Sequence, residues 1–133
     1  MTPVFVDTFY LLAMADAGDD DHVRALEVSA TLTVPTVTTV WVLAEVANAM
    51  ADRTRRGAFT RIWRGLRADP LSTIVAASQS LFDQGLDLYF HRTDKDWSLT
   101  DCISFVVMKQ FGITQALTAD RHFEQAGFVA LLN

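Results

Sequence analysis

The chain has one cysteine, three prolines and six glycines in 133 residues, and Lys95 and Lys109 are its only lysines. A single Cys102 excludes an intrachain disulfide and a cysteine zinc site, which fits a reducing cytoplasm; its expected role is a small buried thiol on a helix. The low glycine and proline content excludes collagen-like and linker-like chains. No long hydrophobic run spans a membrane: the longest uncharged stretch, Val28 to Ala44, contains five threonines and Pro35. The apolar stretch Thr8 to Ala15 follows Asp7 in place of Lys or Arg, so it lacks the charged leader of a signal peptide. Basic residues are also short, 11 against 16 acids for a formal charge of −5. At first sight that argues against a nucleic-acid partner.

What is present is apolar sequence, half of all residues, enough for one domain over residues 1–133. Short β-rich runs alternate with helical patterns. Strands are expected at Pro3 to Val6, Leu32 to Pro35, Ser72 to Val75 and Gln115 to Thr118, with an edge strand at Phe128 to Leu131. Between them the periodicity predicts helices from Phe9, from the Asp19-Asp20-Asp21 run to Ser29, from Val40 to Arg55 behind a Thr38 or Thr39 cap, from Ala58 to Arg67, from Gln79 to Phe90, from Ser98 to Gly112, and over Asp120 to Gln125. Such alternation specifies an α/β protein with a mostly parallel sheet of four to five strands covered on both faces.

Ligands of open parallel sheets gather at the carboxyl ends of the strands. Asp7 follows the first strand and Asp120 the fourth; Asp101 lies in the first turn of the Ser98 helix, and Glu45 shares a helix face with Trp41, Asn48 and Asp52. Each acid has a bland reading. Asp7 and Asp120 suit helix caps, Ser98-x-x-Asp101 matches a capping box, and Glu45 suits a solvated face. Capping alone does not require all four at one end of one sheet. These four account for −4 of the formal −5, and an uncompensated carboxylate cluster calls for a cation. Oxygen ligands without cysteine or a spaced histidine pair select Mg²⁺ or Mn²⁺, hence metal-dependent phosphodiester hydrolysis by activated water.

Val4-Phe5-Val6-Asp7-Thr8, Val42-Leu43-Ala44-Glu45-Val46-Ala47-Asn48-Ala49, Trp97-Ser98-Leu99-Thr100-Asp101-Cys102-Ile103-Ser104-Phe105, and Leu117-Thr118-Ala119-Asp120-Arg121-His122-Phe123 with Ala126-Gly127-Phe128 together resemble the PIN domain ribonucleases, and among them the VapC-like toxins. The resemblance implies a three-layer α/β/α sandwich and a Mg²⁺-dependent endoribonuclease. It makes Asp7 and Asp101 principal metal ligands, Glu45 and Asp120 the rest of an acidic quartet, and Thr8, Asn48, Ser98 and Thr118 their hydrogen-bonding neighbours. It also implies a homodimer held inactive by a cognate antitoxin. Asp96 is placed as an outer-sphere ligand and Asp94 on the loop surface.

Six arginines (Arg53, Arg55, Arg56, Arg61, Arg64 and Arg67) occupy the segment 53–67 with no acid among them. They read as an RNA phosphate grip or as a solvated helical hairpin. Trp63 has the helical spacing of Phe59, Ile62 and Leu66, which assigns it to the core side, with stacking on an unpaired base as the other reading. His122, two residues beyond Asp120, reads as a helix-surface residue within reach of the site. A non-catalytic PIN-like module that grips RNA or protein is the alternative function. A phosphoacceptor of the response-regulator type needs a late lysine near the site, and neither lysine follows a late strand.

Overall fold

The computed structural model describes residues 1–133. Its elements are β1 (Val4–Val6), α1 (Thr8–Ala15), α2 (His22–Thr31), β2 (Thr36–Thr39), α3 (Val40–Ala49), α4 (Arg56–Ala68), β3 (Ser72–Val75), α5 (Gln79–His91), α6 (Leu99–Gln110), β4 (Gln115–Leu117), α7 (Arg121–Gln125) and β5 (Val129–Ala130). The strands form one sheet in the order β3-β2-β1-β4-β5, and every pairing is parallel. Successive residues of a strand face opposite sides of a sheet. All three residues of β1 are buried, so both faces of the central strand are covered, giving the three layers of an α/β/α sandwich.

The second strand lies four residues later than the sequence pattern suggests, at Thr36–Thr39 in place of Leu32 to Pro35. β-branching suits these threonines to a strand, and their buried hydroxyls find partners. Thr38 Oγ1 donates to the Val6 carbonyl at 2.9 Å, and Thr39 Oγ1 accepts from the Val42 amide at 3.1 Å, capping α3. Pro35 still takes part, its carbonyl accepting from Val4 N–H at 3.0 Å. Helix α3 stops at Ala49, short of the expected Arg55. Asp52 turns the chain instead, accepting from Thr54 N–H, Thr54 Oγ1 and Arg55 Nε.

The topology decides where a ligand can bind. The chain builds β1, β2 and β3 outward on one side, then crosses to place β4 and β5 on the other. The crevice between β1 and β4 is therefore the switch point. Val6 pairs with Leu117 there, which sets Asp7 beside Thr118. Helix α6 carries the chain back to the start of β4, so it runs opposite to the strands and its first turn lies at the same edge. Beneath that edge is an aromatic cluster: the Phe105 ring meets Trp97 and Phe123 edge to face, each at 5.0 Å between centroids, and Phe128 at 5.6 Å.

Candidate active site

Three of the predicted acids converge on this crevice. Asp7, 5% exposed, occupies the cap position of α1, yet its side chain makes no cap bond. Its Oδ2 accepts from Thr118 Oγ1 at 2.8 Å, so the bland reading of Asp7 as a helix cap is wrong. Thr118 is fully buried, and its Oγ1 also accepts from Asp120 N–H at 3.0 Å. One hydroxyl thus ties the end of β1 to the turn after β4.

Asp101 and Asp120 do cap helices. Ser98 Oγ accepts from Asp101 N–H at 3.0 Å and Asp101 Oδ2 accepts from Ser98 N–H at 3.2 Å, a complete capping box on α6. Asp120 Oδ1 accepts from His122 N–H at 2.9 Å. The capping bonds use one oxygen of each carboxylate and fix its direction. Asp101, Asp120 and His122 each present a possible ligand atom, all within 4.8 Å of one another.

The electrostatics are those of an uncompensated site. No lysine or arginine pairs with these acids; the only basic side chain in ion-pair range is His122, 3.1 Å from Asp101 Oδ2 and 3.5 Å from Asp120 Oδ1. Burial pushes the Asp7 carboxyl up to about 7, against the lowering effect of the Thr118 hydroxyl, and the charges of Asp101 and Asp120 raise it further. Burial likewise holds Asp101 above the usual carboxylate range, opposed by Ser98 and His122 and reinforced by Asp120. Burial, then Asp101, raises the Cys102 thiol to about 11, so this buried cysteine is inert.

The donor set fits a hard divalent cation: carboxylate oxygens with no cationic side chain to neutralise them. Thr8 Oγ1, next in sequence to Asp7, is buried without a hydrogen-bond partner, an unmet polar requirement beside the site. Asp7, Asp101 and Asp120 could hold such an ion.

Glu45 is half-buried and Asn48 exposed on α3. Asp96 is exposed. Asp94 pairs with Arg92 at 3.0 Å and Lys95 at 3.7 Å. Helix α4 buries none of its residues fully. Its Phe59, Ile62, Trp63 and Leu66 are half-buried against the core, and the Arg67 guanidinium lies over the Trp63 ring at 5.3 Å, which supports the core-side reading of Trp63. Arg55 Nε donates to Asp52 Oδ2 at 2.6 Å and Arg56 to the Ala51 carbonyl at 2.8 Å. Arg53, Arg61 and Arg64 are exposed and make no ion pair. The contact of His122 with Asp101 is the feature that sequence reading understated. Its only signal was the two-residue spacing from Asp120.

An all-parallel α/β sandwich with buried carboxylates at its switch point defines a class of acid-centred α/β domains. Within it, the PIN domain family model matches residues 4–129, and the chain belongs to the PIN domain family. It is 30% identical over 129 residues, 95% of each chain, to the 23S rRNA-specific endonuclease VapC20 of Mycobacterium tuberculosis, in both the CDC 1551 / Oshkosh and H37Rv strains. The crystal structure of M. tuberculosis VapC20, described as a sarcin-ricin loop cleaving toxin, matches with a TM-score of 0.86 at 27% identity, over 95% of this chain and 96% of that one.

Proposed function

We propose that this chain is a Mg²⁺-dependent endoribonuclease, with Mn²⁺ able to substitute, and the toxin of a toxin–antitoxin pair. The observation that carries the reading is the meeting of Asp101 and Asp120 at the β1/β4 switch point, with Asp7 tied to the same turn through Thr118 and no lysine or arginine paired with any of the three. The similar VapC20 proteins are endonucleases of 23S rRNA, which makes ribosomal RNA the first substrate to test. The same reading takes residues 1–133 as one PIN domain working in the cytoplasm as a homodimer. No helix is long and apolar enough to cross a membrane.

In this mechanism Asp7, Asp101 and Asp120 hold the ion, with Glu45 as the fourth acid on the α3 side. A divalent ion held there would lower the pKa of water and offset negative charge on the scissile phosphate. The Thr118 hydroxyl fixes Asp7 and the Asp120 backbone relative to each other. Ser98 fixes Asp101, and Thr8 and Asn48 complete the polar surround. Arg53, Arg55, Arg56, Arg61 and Arg64 grip RNA phosphates beside the site, and an acidic segment of an antitoxin competes for them.

Single Asp7→Asn and Asp101→Asn proteins should remain folded and lose Mg²⁺-dependent cleavage of RNA by two orders of magnitude or more, a loss of about 3 kcal/mol or more in transition-state stabilisation. Primer extension on ribosomal RNA, with and without chelator, reads the outcome. Full cleavage by both variants rejects the nuclease reading; chelator-insensitive RNA binding without cleavage by the wild type favours the non-catalytic module.

A further inference from the structure

Residue 122 touches two of the acids through different parts of itself. Its backbone N–H donates to Asp120 Oδ1 at 2.9 Å, and its ring Nδ1 lies 3.1 Å from Asp101 Oδ2. An ionised carboxylate only accepts hydrogen bonds, so in this contact the Nδ1–H donates to Asp101. From these bonds we infer that His122 is a positioning residue, aligning Asp101 from its side chain and Asp120 from its backbone so that the remaining oxygens face a shared cation. The inference rests on the reading of these acids as metal ligands.

The pattern of occupied oxygens supports it. Asp101 Oδ2 receives both Ser98 N–H and His122, Asp120 Oδ1 receives His122 N–H, and Asp7 Oδ2 receives Thr118. In each carboxylate the other oxygen has no hydrogen-bond partner among the protein's side chains. Carboxylates each held in direction by the protein in this way suit metal ligation with an outer hydrogen bond orienting the ligand.

The packing explains why the ring stays in place. Asp101 and Phe105 are one helical turn apart on α6, and His122 and Phe123 are adjacent on α7. Phe123 is fully buried and meets Phe105 edge to face at 5.0 Å. The aromatic pair locks α7 to α6, and the His122–Asp101 bond forms above it. Helix α7 has only five residues, so this docking, not the helix itself, sets the ring's position.

Three substitutions separate the roles. His122→Ala removes the ring donor but keeps the backbone bond to Asp120. His122→Asn places an amide N–H where Nδ1–H stands, and His122→Gln places its amide near Nε2. Mn²⁺ binding followed by electron paramagnetic resonance, and Mg²⁺ binding by titration calorimetry, report on the cation without turnover; melting in chelator checks the fold. The Ala protein should bind Mn²⁺ about tenfold more weakly or worse, with its half-saturating metal concentration for cleavage raised in step and its KM for RNA unchanged. The Asn protein should recover most of that loss and bind better than the Gln protein. Unchanged binding in the Ala protein, or an Asn protein no better than the Gln one, overturns the inference while leaving the nuclease reading intact. Should the Ala protein not fold, the Asn and Gln comparison decides. Wild type that binds neither ion overturns both.

Discussion

Asp7 is buried at the cost of its charge. With its folded pKa near 7 and its ordinary value at 3.8, the folded state binds the proton more tightly than the unfolded chain. The sign follows from linkage: this raised carboxyl is fully compatible with folding below about pH 4, and stability falls as pH rises from there through 7, then levels off. The difference is of order 4 kcal/mol for the metal-free protein. Asp101 shifts in the same direction. In chelator, therefore, wild type should melt at a lower temperature at pH 8 than at pH 5. Asp7→Asn should melt higher than wild type at pH 8 and converge with it toward pH 4, since its amide oxygen can still accept from Thr118. Magnesium should raise the melting temperature of wild type at pH 8 and leave that of the Asn variant nearly unchanged. Thermal melts across pH give the result; a wild type with no fall in stability between pH 5 and 8 would count against a buried, uncompensated Asp7.

Helices α5 and α6 approach closely at one glycine. A Cβ on Gly85 would run into the Ile103 side chain and lie 3.3 Å from Ile103 backbone atoms, so α6 can seat only against a residue without a side chain. Gly85→Ala gains up to about 1 kcal/mol of helix propensity but overpacks the contact at a cost of about 1–3 kcal/mol. The net expectation is destabilisation of up to about 2 kcal/mol, measurable by urea unfolding. Because α6 carries Asp101, cleavage should fall along with stability. The far end of α6 is set by Gly112, whose φ of +66° lets Ile113 N–H reach the Met108 carbonyl at 2.8 Å and turns the chain into β4. Most helices were readable as amphipathic or capped segments. The β2 strand was not, because Pro35 read as its end and Thr38 or Thr39 as the cap of the next helix. Leu32 and Val34 looked more strand-like than Thr36 and Thr38, and only hydrogen bonds from other elements make the threonines acceptable in the interior.

Across the whole molecule, charge is sorted by place. The formal −5 averages an acidic crevice and an arginine-rich helix that the net figure hides. Of the arginines on and before α4, Arg61 and Arg64 are exposed and unpaired, whereas Arg55 is bound by Asp52, whose carboxyl the Thr54 hydroxyl, and after it that contact, draw down to about 2. If α4 grips RNA, the double variant Arg61→Ala/Arg64→Ala should raise KM for RNA several-fold with kcat little changed. It should also flatten the dependence of log binding constant on log salt by roughly 0.7 per lost phosphate contact to a single strand. Binding titrations between low and moderate salt test this. An unchanged KM and salt slope would return α4 to the role of a solvated face.

The acids of the site, the cap of α6 and the alternation that makes an α/β sandwich were legible in the sequence, because they depend on spacing along the chain. Asp7 and Asp120 follow their strands, and Ser98 and Asp101 are three residues apart, in any fold that forms those elements. The sequence could not say which acids meet, since contact across 111 residues between Thr118 and Asp7, or 21 between His122 and Asp101, is created by β1 pairing with β4 and by α7 docking on α6. It could not separate a capping aspartate from a buried one either: Asp7 and Asp120 occupy the same cap position by sequence, yet only Asp120 caps. Burial decided that difference, because the Asp7 carboxylate, shut away from water at the centre of the sheet, takes its hydrogen bond from the hydroxyl that the neighbouring strand presents.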